Sequence, residues 1–83
     1  MVTKQLSDQH VKRLDLMLAA ELVNIASRYS SDVSIRYDGG RIHMGSLIGV
    51  LAVATLPGDN FILEVIGEDE EHAMKAVLRA LEA

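Results

Sequence analysis

The chain has 83 residues, of which 49% are hydrophobic and none is cysteine; this is room for one domain with an unstapled core, and it excludes disulfides and thiolate metal sites. Eight basic against twelve acidic residues leave a formal net charge of −4, the wrong sign for the basic stripe of a nucleic-acid binder. The opening MVTKQLSDQH holds no apolar core of signal-peptide length, and the longest apolar run, Met44 to Leu56, is interrupted by Gly45 and Gly49 and falls short of the roughly 20 residues of a membrane span. The expectation is a cytoplasmic, soluble protein folded as one domain over residues 1–83, acting directly on neither nucleic acid nor membrane.

Val2 to Asp8 alternates loosely and predicts a strand. Gln9 to Arg13 is polar and reads as a loop. In LDLMLAAELVNIASRYS, the residues Leu18, Leu22, Ile25, Ala26 and Tyr29 recur at helical spacing, with Glu21, Asn24 and Arg28 on other faces. Asp15 is placed to cap that helix, because its carboxylate can accept an orphan backbone N–H. Ser30 and Ser31 end it.

Val33, Ile35 and Tyr37 alternate with Asp32, Ser34 and Arg36, which predicts a half-buried strand. Asp38-Gly39-Gly40 signals a tight turn, since Asp and Gly tolerate positive φ. Ile42 and Met44 continue the alternation on the return strand. Ser46 precedes Leu47, Val50 and Leu51 at i, i+3 and i+4 spacing, so a short helix is predicted despite Gly49.

Leu56-Pro57-Gly58-Asp59-Asn60 reads as a turn, and Phe61 to Ile66 as an apolar strand interrupted by Glu64. EDEEHAMKAVLRALEA reads as a helix whose apolar positions are Ala73, Val77, Ala80 and Leu81. Its acids Glu68 to Glu71 precede Lys75 and Arg79, the order that the helix macrodipole favours, and Glu71 and Lys75 are spaced for an i,i+4 pair. The element order β-α-β-β-α-β-α, with one hairpin, implies an α+β fold: an antiparallel or mixed sheet with helices on one face.

The strings AAELVNIASRYSSDVSIRYDG, SLIGVL and GEDEEHAMKAVLRALE, together with length and element order, resemble HPr, the phosphocarrier family of the bacterial sugar phosphotransferase system. The resemblance covers Leu14 to the end; the N-terminal strand matches in length more than in letters. It implies an open-faced β-sandwich of four antiparallel strands with three helices on one face, with no cofactor and no enzymatic activity. It also implies two phosphorylation sites. One is a histidine at the start of the first helix, within Gly-Leu-His-Ala-Arg-Pro-Ala. The other is a serine before the short helix, used in regulation.

The first site is altered. The matching stretch is Arg13-Leu14-Asp15-Leu16-Met17-Leu18-Ala19, in which only Leu14 and Ala19 agree. Asp15 replaces the phosphoryl-accepting histidine and Met17 replaces the phosphate-clamping arginine. Histidine suits carrier work because its neutral ring nitrogen is nucleophilic near neutral pH. An aspartate can form an acyl phosphate, but its charge repels an incoming phosphoryl group and no arginine offsets it. Asp15 therefore admits three readings: a helix cap, a residual carrier, or a permanent anion where the family holds a phosphohistidine. His10, His43 and His72 are dispersed, match no family site and share no i,i+4 ligand spacing, so no metal site is expected.

The second site is retained as Ser46. A serine there is explained by capping alone. A phosphoserine would add about −1.5 to −2 charge, which a helix start tolerates. That anion would border Leu47, Ile48 and Leu51, an apolar surface for a partner whose arginine reaches the phosphate. By resemblance to the catabolite-repression branch of the family, the expected partners are an HPr kinase/phosphorylase and a transcriptional regulator of the LacI type, with Asp15 and Met17 also at the interface. Gly45 departs from the basic residue that many relatives carry before the serine.

Overall fold

The structure, a computed structural model, describes residues 1–57 and 60–83; the predicted turn at 56–60 therefore lies partly outside the described residues. The elements are β1 (Val2–Leu6), α1 (Asp8–Lys12), α2 (Leu16–Ser27), β2 (Asp32–Tyr37), β3 (Gly40–His43), α3 (Leu47–Val53), β4 (Phe61–Ile66) and α4 (Glu70–Glu82). The expected order holds with one addition. The segment Gln9 to Arg13, read as a loop, is largely α1, a single turn whose only buried residue is Val11. One apolar residue sets no period, which is why the helix left no pattern in the sequence.

The strands form one sheet in the order β1-β4-β2-β3, every pairing antiparallel. β2 and β3 are the predicted hairpin: Tyr37 pairs with Gly40, so Asp38 and Gly39 alone make the connection. Positive φ falls at Gly40 and not at Asp38. Met44 lies just past β3, yet its N–H still donates to the Val33 carbonyl at 2.9 Å.

Period-2 alternation separates the two faces of the sheet. Leu6, Val33, Ile35, Phe61, Leu63 and Val65 point to the helices and join Ala19, Leu22, Val50, Val53, Ala73, Val77 and Leu81 in one core. The opposite face carries Thr3, Ser34, Arg36, Arg41, His43 and Glu64. Glu64, which interrupts the apolar strand in the sequence, is buried there and is held by Arg36 Nε at 3.2 Å and Arg41 Nη2 at 2.8 Å. Arg36 and Arg41 are directly opposite in the β2–β3 ladder. Glu64 supplies the charge that lets two like-charged side chains sit side by side, which unaided is unfavourable.

Two corrections concern the helix ends. α2 stops at Ser27, before Ser30 and Ser31. Those two residues instead bind Asp69 at the start of α4: Ser30 N–H and Ser31 N–H donate to its carboxylate at 2.9 and 3.0 Å, and the Ser31 hydroxyl donates as well. Asp69 thus makes no capping bond within its own helix. The expected Glu71–Lys75 pair is absent among the described residues; the i,i+4 ion pair that does form is Asp8–Lys12, at 2.9 Å, and it holds the Lys12 ammonium pKa above its ordinary value.

Candidate functional site at two capped helix starts

Two helices begin with the polar residues that the sequence singles out. At α2, Asp15 is extended (φ −133°, ψ −176°) and its Oδ1 accepts the Leu18 N–H at 2.8 Å. At α3, Ser46 is extended (φ −107°, ψ 112°) and its Oγ accepts the Gly49 N–H at 3.1 Å. Each side chain satisfies one of the donors that a helix start leaves without an intrahelical partner. Both residues are exposed.

The cap at Asp15 bears on its chemistry. One carboxylate oxygen is committed to Leu18, and the next side chains along the helix, Leu16 and Met17, are apolar and lie in solvent at 61% and 83% exposure. No arginine or lysine forms an ion pair with Asp15 among the described residues. The position therefore presents an exposed carboxyl group beside exposed apolar side chains.

Around Ser46 the three predicted apolar residues divide. Ile48 is 82% exposed, whereas Leu47 and Leu51 are half-buried and pack against the core. Val50 and Val53 fill the inner face of α3. The helix lies close over β3: a Cβ placed on Gly49 would come within 2.8 Å of Ile42 Cγ2. Gly49, which weakens the helix on propensity, is thus the residue that lets it approach the sheet. Gly45 has nothing within 4 Å of where a side chain would begin, so a side chain at that position would meet no obstacle.

α2 and α3 pack on each other. Each presents exposed apolar side chains in its first turn, Leu16 and Met17 on one and Ile48 on the other. Leu16 is the member that sequence reasoning left out. Its signal was available: it precedes the Leu18–Leu22–Ile25 stripe and falls off the buried face.

No histidine occupies either helix start, although the His43 carbonyl accepts the Ser46 N–H at 3.2 Å. His43 is exposed at the end of β3 and His72 is exposed in α4, in its first turn. His10 does not lie in a loop; it is half-buried on α1. Among the described residues no three histidine or carboxylate side chains gather as metal ligands, and no helix is long and apolar enough to cross a membrane.

Comparison with known proteins places these features in a family. The profile described as "PTS HPr component phosphorylation site" matches residues 9–83. The HPr-like protein Crh of Halalkalibacterium halodurans is 32% identical over 82 residues, covering 99% of this chain and 98% of that protein. Crh of Bacillus subtilis is 35% identical over 57 residues, 69% of this chain and 67% of that one. Among solved structures, HPr-C-His from Thermoanaerobacter tengcongensis superposes with a TM-score of 0.81 at 27% identity, covering 99% of this chain and 92% of that chain. HPr from Bacillus anthracis gives 0.77 at 26% identity, over 95% and 94%. The four-stranded antiparallel sheet with helices on one face is the architecture of these structures.

Proposed function

The chain belongs to the HPr family, whose members are phosphocarriers or regulatory proteins and not enzymes, and from that premise we propose that it works as a regulatory adaptor of carbon catabolite control, switched by phosphorylation of Ser46. In this reading it is one cytoplasmic domain over residues 1–83. An HPr kinase/phosphorylase modifies Ser46, and the phosphorylated form binds a LacI-type transcriptional regulator through Leu47, Ile48 and Leu51, with Asp15 and Met17 also at the interface.

The observation that carries the reading is the contrast between the two caps. At α3 an exposed hydroxyl stands beside an exposed apolar side chain. At α2 the residue in the carrier position is a carboxylate already engaged with Leu18 N–H, with no arginine or lysine paired to it among the described residues. A phosphate on Ser46 would change the surface charge by about −1.5 to −2. The side chains that anchor α3 in the core are Val50 and Val53, both buried, whereas Ser46 is exposed. A partner's arginine meeting that phosphate gains a charge-assisted bidentate contact, and the apolar residues beside it supply contact area.

The test uses two labelling reactions on the purified protein. With ATP and the kinase, wild type is expected to take up an acid-stable phosphate that Ser46→Ala does not. With phosphoenolpyruvate and the first enzyme of the phosphotransferase system, no label is expected on wild type or on Asp15→Ala. An unlabelled wild type in the first reaction overturns the switch. A hydroxylamine-labile label in the second, lost in Asp15→Ala, establishes the carrier in its place.

A further inference from the structure

We propose that His10 makes the start of α1 a proton-sensitive clasp, closed when the imidazole is neutral and opened when it is protonated. The geometry is a capping box with an unusual member. In the common form an N-cap Ser or Thr accepts the N–H three residues on, and a Glu or Gln there accepts the N-cap N–H in return. Here Ser7 Oγ accepts the His10 N–H at 3.2 Å, and His10 Nδ1 accepts the Ser7 N–H at 3.1 Å. Glutamine accepts at any pH, whereas an imidazole nitrogen accepts only while it keeps its lone pair.

The contact assigns the tautomer. Nδ1 is the acceptor, so the proton of the neutral ring is on Nε2. Nε2 faces Glu82 of α4, with Oε2 at 3.9 Å. A second proton has one place to go, Nδ1, where it would meet the Ser7 N–H donor to donor. The ring must then turn away and the box is lost.

The other charged groups of the packed elements set the balance. Glu82 is the acid nearest the ring, but its side chain is 57% exposed and 3.9 Å away, a geometry in which an ion pair contributes little. Asp8 and Lys12 on α1 are paired with each other. Arg13, directly after α1, donates to the carbonyls of Leu81 and Ala83 at the end of α4. Lys4 on β1 forms no ion pair among the described residues. The Ser7 N–H, 3.1 Å from Nδ1, is closer to the ring than the Glu82 carboxylate.

A one-turn helix has no cooperative reserve and depends on its caps. Opening the box loosens α1, and α1 places three things: Val11 in the core, Arg13 on the last carbonyls of α4, and Leu14, whose N–H donates to the Val11 carbonyl at 3.1 Å immediately before Asp15. The clasp thereby sets how firmly the chain enters the α2 start, independently of whether Ser46 is a switch.

Two NMR measurements on the full chain test it. Long-range 15N correlation of the neutral His10 ring is expected to show the Nε2–H tautomer; an Nδ1–H tautomer overturns the proposal. Hydrogen exchange at the Ser7 amide, corrected for intrinsic pH dependence, is expected to lose about tenfold protection as His10 is protonated. In His10→Gln, which keeps an acceptor at every pH, protection is expected to stay constant over the same range. Unchanged protection in wild type, or the same loss in His10→Gln, refutes it.

Discussion

The Asp69 carboxylate accepts hydrogen bonds from both the N–H and the hydroxyl of Ser31, 38 residues earlier in the chain. This contact ties the α2–β2 connection to the start of α4. The Ser31 hydroxyl is the largest influence holding the Asp69 pKa below its ordinary value, followed by the Ser30 N–H. Glu70 beside it is lowered as well, first by the Gly67 N–H and then by the Met1 ammonium at 3.0 Å. A carboxyl whose folded pKa is depressed contributes stability above its unfolded value, and loses it as pH falls through the folded value. The expected result is that Asp69→Ala is less stable than wild type at pH 6–7, and that the gap closes as pH falls below about 4. Urea denaturation followed by circular dichroism at a series of pH values measures it; a gap independent of pH would show that the carboxylate charge is not involved.

The same junction yields a contrast between two glycines. Gly67 has φ +154°, and a Cβ there would come within 2.6 Å of Ser31 Cα, which is backbone. Gly67→Ala is therefore expected to cost more than about 1 kcal/mol. At Gly49 the nearest obstacle is the Cγ2 methyl of Ile42, a side-chain atom and not backbone. Gly49→Ala gains about 1 kcal/mol of helix propensity against that contact, so its net change is expected to be the smaller of the two. Denaturant midpoints of the two variants decide the order.

Glu64 supports a prediction on the open face of the sheet. Removing it leaves Arg36 and Arg41 opposed without a counter-ion. Both arginines are about half exposed and can be rehydrated, so Glu64→Ala is expected to cost about 1–3 kcal/mol, not the larger penalty of a fully buried orphaned charge. Added salt, which screens the repulsion between the two arginines, is expected to restore part of the loss. Stability unchanged in Glu64→Ala at low salt would show that the cluster contributes nothing net.

How far the sequence revealed this molecule follows from the range of each interaction. The β2–β3 hairpin and the caps at Asp15 and Ser46 are local, set by residues within a few positions of one another, and all were readable. α1 was not, because its reciprocal cap is a histidine where Glu or Gln is the recognisable signal and its one buried residue makes no period. Glu64 stood out as an interruption of an apolar strand, but its partners come from β2 and β3, and register is not written in any one segment. Asp69 looked like an ordinary member of an acidic first turn; its bonds to Ser30 and Ser31 exist only once two distant segments meet. The candidate site was legible in its polar residues. Its apolar border was legible only in part, since exposure separates Ile48 and Leu16 from Leu47 and Leu51 in a way that hydrophobicity alone does not.

Ser46 caps α3, the proposed switch would give it a second role, and one substitution separates the two. Ser46→Ala removes the acceptor for Gly49 N–H and is expected to cost about 0.5–2 kcal/mol, so a loss of regulator binding in that variant would mix instability with loss of phosphate. Ser46→Asn keeps a side-chain oxygen at the cap, where Asn ranks with Ser, but offers no hydroxyl. It is expected to match wild-type stability to within a few tenths of a kcal/mol, to take no label from the kinase, and to bind the regulator no better than unphosphorylated wild type does. Ile48→Ala, at a side chain almost wholly in solvent, is expected to leave stability unchanged and to weaken binding of the phosphorylated form. Denaturation curves beside binding isotherms for the three variants resolve cap from switch. Kinase-treated Ser46→Asn binding the regulator as tightly as kinase-treated wild type would leave the serine with its capping role alone.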